Sequence, residues 1–188
     1  MNIARRRVRG ITLIELLMSL AVLAIVLSMA VPAFGGIIQS GKSQSASSAL
    51  TASLNAARMS AVNETAPATI CPSRDQQHCV RTTQWQDGWI VFLDANLDGI
   101  RDDGEPLVHA SQAQPEGTAI LSTSGRTRVT YRPDGSSPGT NITITLCDRR
   151  GAEHATALVI NNGGRVRHGE PSAAAAADCA AIAAAPHA

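Results

Sequence analysis

Three groups of residues in this 188-residue chain have the types and spacing to do chemistry. The first is Asp94-Ala-Asn96-Leu-Asp98-Gly99-Ile100-Arg-Asp102-Asp-Gly-Glu105. Oxygen donors fall at the first, third, fifth, ninth and twelfth positions, with a glycine at the sixth and the Ile100 carbonyl at the seventh. That is the donor pattern of a calcium loop. Five acids against one arginine give residues 94–105 a net charge of −4, which favours a cation. The flanking runs read as strands, however, so the helices of an EF-hand unit are missing. The competing reading is an ion-free hairpin loop whose Asp and Asn side chains accept from nearby backbone N–H groups.

The second group is arginine-rich. Residues 120–170 hold seven Arg and four acids. Arg165 and Arg167 alternate across Val166, so on a strand both project from one face. Arg149 and Arg150, in a turn between strands, are expected to extend the patch. Planar guanidinium forks suit phosphate oxygens. The third group is Cys71, Cys79, Cys147 and Cys179, an even count that suggests two disulfides in an oxidising compartment. Three pairings are open. Cys71–Cys79, closing a short loop, and Cys147–Cys179, tying down the tail, are favoured over a zinc site, since no C-x-x-C or paired-histidine spacing is present. His78, His109, His154, His168 and His187 are scattered, and no nucleophile elbow, zinc-protease, P-loop or dinucleotide pattern occurs, so catalytic residues are none.

Composition sets bounds on these readings. The net charge of +1 excludes a uniformly basic coat for nucleic acid. Apolar residues make up 44% and aromatics 3%, so a core must be built from Val, Ile, Leu and Ala. The apolar residues are concentrated at the N-terminus. Residues 1–10 carry Arg5, Arg6, Arg7 and Arg9 and no acid; Ile11 to Val31 is almost wholly apolar. Those 21 residues make about 31 Å of helix, enough for a bilayer core of about 30 Å. The flanking arginines predict an N-in, single-pass topology with the remainder outside the cytoplasm. Glu15 interrupts the run. A carboxylate there costs a few kcal/mol in hydrocarbon, so it is expected to have a partner.

The string RGITLIELL, behind a basic leader, resembles the type IV prepilin signal. The resemblance implies cleavage by a prepilin peptidase between Gly10 and Ile11, N-methylation of Ile11, and a pairing of Glu15 with the freed amine of a neighbouring subunit. Ile11 departs from the family's usual Phe. Pro32 matches the helix proline. Further on, DGWIVFLDANLDGIRDDGEPLV, TYRPDGSS, ITLCDRRG and VINNGGRVR look like the FimT/GspH branch of minor pilins and pseudopilins. This likeness implies a β-sandwich head, an inner-membrane anchor with a periplasmic head, and assembly with other pilins or pseudopilins into a type IV pilus or a type II secretion pseudopilus. Gly164-Arg165-Val166-Arg167 resembles the GRxR motif of FimT proteins that bind double-stranded DNA in natural transformation, with Arg149 and Arg150 as further candidates. Loops like 94–105 also recur in this branch without implying metal.

The elements that must position these groups follow from pattern. The expected fold class is α+β: a long N-terminal helix packed on an antiparallel β-sandwich. A leader (1–10) precedes a transmembrane helix (11–32), and Pro32, with Gly35, Gly36 and Gly41, is expected to kink or break it. An amphipathic continuation (33–64) follows, in which Leu50, Leu54, Ala57 and Ala61 form one face. The head (65–170) shows short β-like runs at 69–71, 88–93, 107–110, 118–121, 128–131, 141–147, 155–160 and 165–168. The Ala-rich tail (171–188) is compatible with a short helix or with no fixed structure.

Overall fold

The structure, a computed structural model, describes residues 12–185. The chain divides into two compact units, one ending at Ile38 and one beginning at Gln39. Helix α1, Leu13–Asn63, contributes to both. Thr12 caps it: the Glu15 amide donates to Thr12 Oγ1 at 3.3 Å, with the Thr-x-x-Glu spacing of a capping box. In the first unit every described side chain from Leu13 to Met29 is exposed. The helix is long and apolar enough to cross a membrane. It runs uninterrupted past Pro32, so the break expected there is absent. A proline forfeits a single backbone bond, and the bonds on either side carry the helix across.

The second unit is an antiparallel sandwich. One sheet has the order β3-β2-β1-β5, formed by β1 (Ala68–Pro72), β2 (Trp89–Leu93), β3 (Leu107–Ser111) and β5 (Val129–Tyr131). The other has the order β4-β6-β7-β8, formed by β4 (Thr118–Ser122), β6 (Ile142–Asp148), β7 (Thr156–Ile160) and β8 (Val166–Gly169). Each expected strand is present to within about a residue at either end. Period-two alternation decides which side chains point inward. Ile70, Trp89, Val91, Tyr131, Ile142, Ile144, Leu146, Leu158 and Ile160 share one core with Ala46, Leu50, Leu54, Ala57 and Ala61 of α1. Thr65, with φ +50, turns the chain out of α1, and Pro67 follows.

The outer face of each sheet has its own disulfide-tied cover. Cys71 pairs with Cys79 beside Ile90 and Phe92 on the first sheet. On the second, Cys147 pairs with Cys179 of helix α2, Ala173–Ala184. Their Cα separations, 5.6 and 6.1 Å, are ordinary for a bridge. Helix α2 resolves the open question of the tail. Twelve Ala-rich residues are marginal as an isolated helix. Here Ser172 caps the first turn by accepting from the Ala175 amide at 3.2 Å, and Ala176, Cys179 and Ala183 are buried.

Candidate nucleic-acid interface

The Arg165–Arg167 strand begins at a turn that only glycine can make. Gly164 has φ +72, and a Cβ on it would be driven into the Gly135 carbonyl oxygen and against the Tyr131 ring. The two turns that meet there are stitched together. Gly164 N–H donates to Asn161 O at 2.8 Å, and Ser137 N–H donates to Asn162 O at 2.9 Å. From α1, Arg58 Nε donates to Gly135 O at 2.9 Å and Nη2 to Gly163 O at 3.4 Å. Tyr131 lies beneath, fully buried. Its burial pushes the phenol well above its ordinary range, against the opposing pull of the Arg58 charge. Val166, half-buried, packs against the core, while Arg165, just before edge strand β8, and Arg167 within it are exposed. Among the described residues neither arginine has an ion-pair partner. Arg58 was not anticipated from the sequence. Its signal was its spacing, one turn beyond buried Leu54 on the flank of the apolar stripe.

Arg149 and Arg150 do not join this patch. They follow Asp148 at the far end of β6, whereas Arg165 adjoins Val166, which pairs with Ile160, itself opposite Ile142 at the near end. Six residues of strand separate Ile142 from Asp148, about 20 Å. Both arginines are also engaged. Arg150 forks onto Asp148 through Nε and Nη2 at 2.9 and 2.8 Å, and its own amide donates to the same carboxylate at 2.9 Å. Burial alone would raise the Asp148 carboxyl, but these bonds hold it below the ordinary carboxylate range. Arg149 reaches Glu116 at 3.5 Å. The sequence reading overlooked that an Asp two residues before an arginine in a tight turn claims the guanidinium locally.

The acidic loop joins β2 to β3, and several of its side-chain oxygens accept hydrogen bonds within the loop. Asp94 is fully buried, with Oδ2 accepting from Thr69 Oγ1 at 2.6 Å and from the Gly99 amide at 3.1 Å. Glu105 accepts from the Ala95 and Asp102 amides at 2.9 and 3.2 Å. Asp98 accepts from the Ile100 amide at 2.7 Å. Asn96 Nδ2 lies between Asp98 and Asp102, donating to each at 3.1 Å, in the bridging place a cation would take. Among the described residues no three Asp, Glu, His or Cys side chains are gathered as a metal-holding group. Of the calcium candidates Asp94, Asn96, Asp98, Ile100, Asp102 and Glu105, the side chains of Asp94, Asn96, Asp98 and Glu105 accept loop amides, Asp102 accepts from Asn96, and Asp94 Oδ1 is buried without a hydrogen-bond partner. Of the processing and assembly candidates, Glu15 is exposed in the first turn of α1 and Pro32 lies within the helix, while Gly10 and Ile11 lie outside the described residues.

Comparison with known proteins places these features. The family model of the type II transport protein GspH matches residues 46–164. A prokaryotic N-terminal methylation motif matches residues 5–31. Two crystal forms of the type IV minor pilin FimU from Pseudomonas aeruginosa share the fold. At 22% and 23% identity, each match covers 69% of this chain, against 88% and 93% of the FimU chains, with TM-scores of 0.53 and 0.52. No curated protein sequence matches.

Proposed function

The chain belongs to the GspH family of type II transport proteins, and from that membership we propose that it is a FimT-like minor subunit of a type IV pilus whose head retains double-stranded DNA. At the coarser level it is a minor pilin or pseudopilin, a member of a family of structural subunits. Its N-terminal helix and prepilin motif go with membrane anchoring and assembly alongside other pilins. The finer reading has the prepilin peptidase cut between Gly10 and Ile11, the inner membrane hold α1, the head lie in the periplasm, and Glu15 pair with the methylated amine of the next subunit. What supports that pairing is the exposure of the apolar side chains from Leu13 to Met29. A lone carboxylate there gains most when a cation is buried with it, and losing either partner leaves the other at a large cost.

One observation carries the DNA reading: Gly164 is locked into the turn that leads into Arg165 and Arg167, both exposed and free of ion pairs among the described residues. Contacts of this kind read phosphate rather than sequence. The test is duplex DNA binding by the full chain in detergent micelles across a salt series. Replacing Arg165 and Arg167 with Gln should weaken binding and lower the log–log salt slope by about 1.8, two phosphate contacts' worth. Binding that survives unchanged would leave the assembly role alone.

The family description favours a second reading, a pseudopilin of type II secretion. Deleting the gene separates the two. Loss of piliation or of DNA uptake marks the pilus subunit, and loss of exoprotein release marks the pseudopilin.

A further inference from the structure

We propose that Gly125-Arg126-Thr127-Arg128, together with Arg81, forms a second phosphate site on the head, so that a nucleic-acid backbone is held at two places. The proposal rests on the DNA reading above. The segment repeats the residue pattern of Gly164-Arg165-Val166-Arg167. The likeness extends to conformation: Gly125 has φ +75 and Gly164 has φ +72. Each segment leads into an edge strand, β5 in one sheet and β8 in the other.

The arginines of the new segment converge on a cleft of about 420 Å³. Arg81, Arg126 and Arg128 line it with Thr130 and Thr140, and no carboxylate does. Arg126 is fixed to the wall, its Nη1 donating to Gly139 O at 2.8 Å. Arg128 lies over Gly99, where a Cβ would collide with its guanidinium. Among the described residues none of the three has an ion-pair partner. Three exposed guanidinium charges around a cleft that no acid lines favour an anion there, and planar donor forks fit the two free oxygens of a phosphodiester. No aromatic side chain lines the cleft, so stacking on bases does not compete with this reading.

The cleft and the first site lie at one end of the head. Gly139, which holds Arg126, is two residues from Ser137, whose amide donates to Asn162 O in the turn that precedes Gly164. A duplex crossing this end meets arginines from both sheets.

The experiment measures binding of a mixed-sequence duplex by the full chain in detergent micelles over a salt series. R81Q/R128Q is compared with R165Q/R167Q and with the parent; Arg126 is left alone because its bond to Gly139 supports the wall. Each double variant is expected to lower the salt slope by about 1.8 with an unchanged thermal melt. Parent-like affinity and slope in R81Q/R128Q, alongside a loss in R165Q/R167Q, would overturn the second site and leave the first standing. A parent that does not bind would remove the DNA reading and this one with it. Should R81Q/R128Q fail to fold, R81K/R128K carries the test. It keeps the charge but not the fork, so it should keep the slope and bind several-fold more weakly; parent-level affinity would refute the site.

Discussion

The Gly135 carbonyl oxygen occupies the space that any side chain on Gly164 would need. Since Gly164 also has φ +72, alanine there suffers twice, from a left-handed backbone and from the collision. We expect Gly164→Ala to cost about 2–4 kcal/mol, read as a clear fall in melting temperature of the full chain in micelles. Arg165→Gln should move the melt by no more than about 0.5 kcal/mol. DNA binding lost in the alanine variant without a fall in the melt would mean that Gly164 touches DNA directly and does not act by shaping the turn.

The two disulfides should differ in weight. Cys147 and Cys179 are 32 residues apart, Cys71 and Cys79 only 8. Loop-closure entropy then favours the longer bridge, about 3.7 against about 2.5 kcal/mol. Replacing Cys147 and Cys179 with Ser should also release α2, seen as lost helical circular dichroism before the main transition. Equal destabilisation by both serine pairs, with α2 still folded, would contradict this account.

Calcium should not stabilise the head. Asp94, Asp98 and Glu105 already accept backbone amides, and Asn96 bridges Asp98 and Asp102. Adding calcium or a chelator is expected to leave the melting temperature where it was. A rise with calcium that vanishes in Asp98→Asn would restore the metal.

Acid dependence is expected at Asp148. Its folded carboxyl lies below the unfolded value of about 3.9, so its contribution is complete above that pH and fades as pH falls through the folded value. Arg150→Gln leaves a buried carboxylate short of partners and should cost about 1–3 kcal/mol at neutral pH. That deficit should shrink as the pH falls through the lowered folded value, where Asp148 takes up a proton. A deficit constant from neutral to acid would show that Arg150 acts by packing alone.

Most of the scaffold was legible because its signals are local. The alternation Thr140 to Leu146 sets which residues of β6 point inward, and the spacing of Leu50, Leu54, Ala57 and Ala61 marks the face of α1 that is buried. What escaped the sequence depends on contacts between distant segments. Arg58 reaches turns 77 and 105 residues away. Arg149 and Arg150 looked adjacent to Arg165 only because the direction of β6 was not followed to its far end. Arg126 and Arg128 carried a readable pattern, yet only the fold brings Arg81 to them. Pro32 is the reverse case, a strong local signal that leaves the helix unbroken.

Because the stripe Ala46, Leu50, Leu54, Ala57 and Ala61 shares one core with residues of both sheets, the helix is a tendon bedded along one face in the interior of the sandwich. Tension applied along it loads the sandwich in shear, and it slips only if all five side chains leave their sockets together. A subunit gripped in this way passes mechanical load into its head as a whole, without peeling one strand at a time.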